Sequence, residues 1–193
     1  MKLLSVNVSG PKEMTYRGQT VRTGIFKKPV AGRVRVHRLN IEGDTQVDLR
    51  VHGGPDKAVY AYPHEHYEHW ARELMRKDFA FGEFGENLTT RGLLEDNVRV
   101  GDVLRIGSAL LQVTEPRLPC FKLMNKMNNF RFAKPFLASG RTGFYLRVLE
   151  EGEIGAGDLI ERAAGESSLP TIREIAKQME DWKGDQDERG SLS

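Results

Sequence analysis

The sequence holds one cysteine in 193 residues, Cys120, so no disulfide can form within the chain and nothing points to an oxidising compartment. Long apolar runs are missing too: no window approaches the ~18 uninterrupted apolar residues of a membrane span. The first residues, MKLLSVNVSGPKEM, carry an early lysine and an apolar stretch too short for the core of a signal peptide. We therefore expect a cytoplasmic protein with no membrane association. An excess of one charge is also lacking. Lys and Arg (29) nearly cancel Asp and Glu (27), and a pI near 8.7 is only mildly basic. That balance argues against nucleic acid as a partner. There is no P-loop and no dinucleotide fingerprint.

Glycine, at 20 residues, is plentiful and favours many turns between short strands. Leu3–Val8 predicts a first strand ended by Gly10 and Pro11, and Val34 and Val36 alternate with Arg33, Arg35 and His37 as in a half-buried strand. Lys57–Tyr62 is a further β-type run. Pro63 then opens a helix in which Tyr67, Trp70, Ala71 and Leu74 share one apolar face. Gly101–Val113 predicts a hairpin turning at Gly107–Ser108. A second hairpin is expected to run from Gly143 through Leu149, turn at Glu151–Gly152 and return through Gly157–Arg162. Strands of this length and spacing suggest a barrel or sandwich. Ile172, Ile175, Ala176, Met179 and Trp182 form a closing helical stripe with Ser168 or Thr171 as its cap. The expected organisation is a β domain over 1–162, a linker and amphipathic helix over 163–183, and a polar tail over 184–193.

The chemistry-bearing candidates lie in separate segments. Cys120 follows Pro116 and Pro119, which restrict the backbone ahead of the thiol. Arg117 and Lys122 flank it and favour thiolate over thiol; at ~4 Å and an effective dielectric of about 20, one such charge contributes roughly 4 kcal/mol before desolvation. The alternative is a small buried hydrophobe, the usual state of an unpaired cysteine. His52-Gly53-Gly54-Pro55-Asp56-Lys57 pairs glycines that let backbone N–H groups approach an anion with a lysine that can meet a phosphate, or is an ordinary turn. Asn87 and Thr89, in Gly85–Thr90, could bond a heterocycle or hold a turn. Arg141 is either an anion contact or a solvated arginine. In His64-Glu65-His66-Tyr67-Glu68-His69 the spacing is not that of a zinc-protease helix, and three histidines among glutamates read as a solvated face.

Taken in order, Glu42-Gly43-Asp44, His52 to Ala58, Tyr62-Pro63-x-Glu65-His66-Tyr67-x-x-Trp70, Gly85-Glu86-Asn87-Leu88, Gly101-Asp102 and Pro116-Arg117-x-Pro119-Cys120 closely resemble the MOSC family. These are the molybdenum-cofactor-sulfurase C-terminal domains, here of the 6-N-hydroxylaminopurine-resistance type, and the resemblance runs from about residue 2 to residue 180. It implies a mostly β (α+β) fold, a barrel-like domain with a few short helices and a C-terminal amphipathic helix. It implies the molybdenum cofactor, a pterin dithiolene (molybdopterin), with Cys120 as the protein ligand to the metal. Pyridoxal phosphate binding is a further family-level association. Contacts to the cofactor would fall on His52, Gly53, Gly54, Asp56, Lys57, Asn87, Thr89, Arg117 and Arg141, and Asp56 or His52 would move protons. Where relatives of this type carry three C-terminal helices, only the first, Pro170–Lys183, is recognisable in this sequence.

The function implied is reduction of small N-hydroxylated compounds such as 6-N-hydroxylaminopurine. With one cysteine and no dinucleotide fingerprint, electrons must come from a flavin- or iron–sulfur-containing reductase. Two alternatives remain: Cys120 as a persulfide carrier for metal–sulfur centres, and a non-catalytic module binding a small anion.

Overall fold

The structure is a computed structural model that describes residues 1–47 and 53–179. Its strands, in chain order, are β1 (Lys2–Val8), β2 (Lys12–Tyr16), β3 (Gln19–Thr23), β4 (Lys28–Pro29), β5 (Arg33–Val36) and β6 (Val59–Pro63). There follow β7 (Leu88–Arg91), β8 (Val103–Ile106), β9 (Ala109–Pro116), β10 (Phe144–Glu150), β11 (Gly152–Gly155) and β12 (Ile160–Ala164). The helices are α1 (Glu65–Glu73), α2 (Phe121–Lys126), α3 (Ala133–Ala138) and α4 (Ile172–Gln178). None of the described helices is long and apolar enough to cross a membrane.

Eight strands form one mixed sheet in the order β12-β8-β9-β10-β6-β7-β1-β4, antiparallel except for the β6–β7 pair. Among the described residues no closed barrel forms. The start of β1 does reach the segment before β12, through Leu3 N–H to Asp158 O (2.9 Å) and Gly157 N–H to Leu3 O (2.8 Å). Two small antiparallel pairs, β5–β11 and β2–β3, complete the β structure.

Alternation along the central strands sorts side chains into two cores. In β6, Val59 and Ala61 join an aliphatic core with Leu104, Leu111, Val113 and Ile154, whereas Tyr60 and Tyr62 enter an aromatic one. In β10, Phe144, Leu146 and Val148 face the first and Tyr145 the second. A strand buried on both faces loses the polar alternation of an edge strand. Each large apolar side chain so buried contributes roughly 1.5–3 kcal/mol. The aromatic core is roofed by α1, α2 and α3 through Trp70, Leu123, Phe132 and Phe136. Its Trp70 Nε1–H donates to the Tyr62 hydroxyl at 2.7 Å, so the buried indole is satisfied.

The hairpin at Gly107–Ser108 forms as expected, with Ile106 opposite Ala109. The second expected hairpin does not. The chain does not turn back at Glu151: it runs on to the β8–β9 turn, where Ser108 N–H donates to Glu153 O at 3.1 Å, and β11 pairs with β5 while β12 pairs with β8. A Glu-Gly pair permits a turn without requiring one, and the strand partner is chosen by which strand edge is within reach. Pro63 ends β6 rather than opening α1, whose N-cap is His64. At the far end Thr171 caps α4 in a reciprocal capping box with Glu174. Trp182, Lys183 and the tail lie outside the described residues.

Candidate functional site

Cys120 is carried out of the sheet by β9. After Pro116 the Arg117 N–H donates to Gly143 O at 3.2 Å, and Cys120 then caps α2 in an extended conformation. Gly143 is fixed here by geometry: at φ +63° an added Cβ would meet Ala61 O at 2.4 Å. Cys120 lines a partly open cleft whose walls bring distant segments together. Thr23 ends β3, and Gly24 and Ile25 follow it; Lys27, Asp44 and Lys57 come from loops and a turn; Tyr60 and Tyr145 come from the central strands; Asn87 precedes β7, and Arg117 and Lys122 flank Cys120 in the chain.

Cys120 lies deeper than a partly exposed floor residue, at 4% exposure, because it is also part of the aromatic core. Both sequence readings of it therefore describe one side of the same residue. Arg117 is equally buried. Its guanidinium lies 4.9 Å over the Tyr60 ring and donates to Phe84 O at 2.8 Å, but its buried Nε has no hydrogen-bond partner among the described residues. Burial works against its charge, yet Tyr60, Tyr145 and Cys120 beside it hold its pKa above the usual arginine value. Lys27 is paired with Asp44 at 2.5 Å; burial pushes its pKa down while Asp44 pulls it back toward the charged form. Lys57 stands 3.5 Å from Glu115 and 5.8 Å over the Tyr145 ring.

Asn87 enters the cleft through its neighbours. Its Nδ2 donates to Asp44 at 2.9 Å and its Oδ1 accepts the Tyr60 N–H at 3.1 Å, so it ties the acidic wall to β6. Behind it the buried Glu86 carboxylate accepts from Gly82 N–H, Phe84 N–H, the Thr89 hydroxyl and the Tyr67 hydroxyl, and burial pushes its pKa up.

Several expected contacts are placed elsewhere. Thr89 is buried with its hydroxyl on Glu86 and Asn7, away from the cleft lining. Asp56 turns outward to Arg147, at 2.5 Å, because that guanidinium on β10 satisfies an exposed carboxylate better than a cationic cleft it does not reach. Arg141 bonds Ser139 after α3, and its carbonyl accepts from Tyr62, so it too is outside the lining. Gly53 and Gly54 lead into the turn Pro55–Lys57 that delivers Lys57. His52 lies outside the described residues. The solvated-face reading of the α1 histidines is corrected at His66, which is buried with Nε2 2.6 Å from Glu95. That carboxylate lies beyond the helix, which periodicity within the helix does not report. Tyr60, Tyr145 and Lys27 were missed: in the sequence the tyrosines are only strand residues, and the lysine carries no motif.

The cleft fits an anionic group that also carries a thiophilic metal. Lys27, Lys57, Arg117 and Lys122 face it against the one carboxylate of Asp44, and the orphaned Nε of Arg117 is a buried donor lacking an acceptor. Leaving such a donor unmade costs ~1–3 kcal/mol, which an oxygen of an anionic ligand would recover. Cys120 supplies the soft donor such a metal prefers. Among the described residues no group of three or more His, Cys, Asp and Glu is placed to hold a metal, and Cys120 is the one thiol lining the cleft.

This is an α+β domain with a cationic cleft built around one thiol. The MOSC domain model matches residues 48–161, more than half the chain. YflK of Bacillus subtilis is 46% identical over 82% of this chain and 72% of its own length. The crystal structure of YiiM from Geobacillus stearothermophilus has 37% identity and a TM-score of 0.77, over 93% of this chain and 84% of that one. A protein named "Reductase" from Gibberella moniliformis is 33% identical over 91% of this chain, which spans only 32% of that longer protein. The chain belongs to the MOSC domain family, which as a family is associated with the molybdenum cofactor.

Proposed function

We propose that the protein is a molybdenum-cofactor-dependent reductase of small N-hydroxylated compounds such as 6-N-hydroxylaminopurine, fed by a separate electron-transfer protein. The observation that supports this most is the pairing of one thiol with four cationic side chains, one of them holding an orphaned buried donor, around a single cleft. The similarity to a fungal protein named as a reductase supports the oxidoreductase class.

When bound, the cofactor supplies two-electron reduction, so that an N–OH compound, two electrons and two protons become an amine and water. The chain's own residues do the rest. Cys120 offers the thiolate donor, and Arg117 beside it favours that ionised form. Arg117, Lys122 and Lys57 hold the anionic part of the group, and Asp44 fixes Lys27 and Asn87 in the wall. Tyr145 lines the cleft with its phenol pushed up to about 12, chiefly by burial, so it keeps its proton at neutral pH. It can deliver that proton to the departing hydroxyl, with Arg117 stabilising the phenolate left behind. Asp56, turned toward Arg147, is not placed for the task. A persulfide carrier needs a thiol that a second protein can reach, which the 4% exposure of Cys120 disfavours.

The test is metal analysis of protein purified from cells that make the cofactor. About one molybdenum per chain is expected, with Cys120→Ser losing both metal and hydroxylaminopurine reduction because serine offers a harder, far less acidic donor. Full metal content and rate in Cys120→Ser would overturn the assignment.

A further inference from the structure

The near-neutral total charge conceals a strong segregation. Residues 14–41 hold seven Lys and Arg and no Asp or Glu, and residues 116–149 again hold seven with none. The remaining residues carry 15 Lys and Arg against all 27 Asp and Glu. The fold brings parts of the two acid-free stretches together. The Tyr16 ring on the β2–β3 hairpin packs 4.5 Å from Phe121 and 6.0 Å from Phe130, and Arg17 lies 5.3 Å over Tyr16. Lys126 of α2 donates to Ile25 O at 3.3 Å, tying the helix to the segment after the hairpin.

Some cations of these stretches are neutralised elsewhere: Arg33 by Asp158, Arg35 by Glu151, Lys27 by Asp44 and Arg147 by Asp56. Arg17, Arg131 and Lys134 are exposed and form no ion pair among the described residues, whereas Arg22 on β3 stands opposite Glu13 on β2. Phe130, 60% exposed and next to Arg131 in the chain, lies 6.0 Å from the Tyr16 ring. Phe121, against which Tyr16 packs, sits between Cys120 and Lys122, both of which line the cleft. Through Phe121 this aromatic and basic rim is continuous with the segment that carries the thiol.

We infer that this rim, formed by the β2–β3 hairpin and the segment from Phe121 to Lys134, is the docking surface for an acidic electron-transfer protein. The inference rests on the proposed reductase function and names the surface and the chemistry of its partner. Exposed positive charge that the protein's own carboxylates leave unanswered is answered by carboxylates of a partner, and the field it projects speeds encounter. A compact acidic domain covers only the rim. Outside the two acid-free stretches the chain carries 27 Asp and Glu against 15 Lys and Arg, a balance that disfavours a nucleic acid reaching past the rim. An exposed phenylalanine in the rim gives a docked partner an apolar anchor.

The test uses cofactor-loaded full-length protein, two acidic probes (a flavodoxin and a plant-type ferredoxin) and a 20-mer duplex DNA. Binding is read by calorimetry at low and high salt, and turnover is read with either reduced protein or with dithionite-reduced methyl viologen, which needs no docking. The proposal expects at least one acidic protein to bind, with affinity falling as salt rises. Arg17→Glu/Arg131→Glu should weaken that binding roughly tenfold or more and raise the donor's KM equally, leaving the viologen-driven rate within about twofold. Retained affinity in the double variant, DNA binding tighter than either protein, or no binding of either protein would each overturn it. Absence of viologen-driven reduction would count against the reductase reading alone, since binding is measured without turnover.

Discussion

At the scale of single residues, the cleft separates groups that hold from groups that react. Arg117, Lys27 and Asn87 each have protein partners fixing their orientation, so their contribution is a preorganised field at no reorganisation cost. Tyr145 is the residue whose proton the proposed reaction uses. Replacing it with phenylalanine keeps the ring packed 5.4 Å from Tyr60 and removes only the hydroxyl. The expected result is an unchanged molybdenum content with kcat lowered roughly 10²-fold, the lower range for a lost general acid. Metal analysis and steady-state kinetics on the same preparation decide it; an unaltered kcat would remove Tyr145 from the mechanism.

At the scale of elements, α2 matters because it joins the cysteine to the loop before β7. Lys126 makes that join, donating to Gly82 O at 2.7 Å as well as to Ile25 O. Burial lowers its pKa from 10.5 to about 8, against the pull of Glu83 and Glu86. Between those values the unfolded chain binds a proton that the folded chain does not, so stability rises with pH. The contribution is complete above pH 10.5 and is lost as pH falls through about 8, amounting to roughly 3 kcal/mol at most. Lys126→Met should remove this rise. Urea unfolding of both proteins at pH 7, 8, 9 and 10 should give curves of stability against pH that diverge, with wild type gaining. Parallel curves would show that Lys126 does not titrate in this range.

At the scale of the whole molecule, the sheet carries both cores and the hairpin stands apart from it. Central strand β10 pairs on both sides and buries Phe144, Tyr145, Leu146 and Val148, whereas β2 and β3 pair only with each other and are mostly exposed. Native-state hydrogen exchange should therefore find amides of β10 and β6 opening only with global unfolding. Amides of the hairpin should open locally, at least about a hundredfold faster. Equal protection in the two would contradict this division. A stable sheet beneath a loosely held basic hairpin suits a site that must be rigid where it binds and adaptable where a partner docks.

How much of this was legible in the sequence follows from the range of each signal. Period-two alternation marked β5, β-type runs marked β1 and β6, a glycine turn marked the β8–β9 hairpin, and the helical stripe marked α1 and α4, because these depend on neighbours within a few residues. The ordered motifs marked the family and singled out Cys120. Sequence also put Lys57, Asn87 and Arg117 at the site, but it could not separate them from Thr89, Asp56 and Arg141. Asp56 is drawn to Arg147, 91 residues away, while Thr89 and Arg141 bond Glu86 and Ser139 close by in segments that packing turns away from the cleft. Likewise β11 turned to β5 rather than β10, His66 found Glu95, and Tyr60 and Tyr145 met Arg117 across the sheet. By itself the sequence determined the chemistry available and the local shape of each segment. Which side chains share the cleft was decided by tertiary structure, since strand pairing and the competition of buried charges for partners act between residues far apart in the chain.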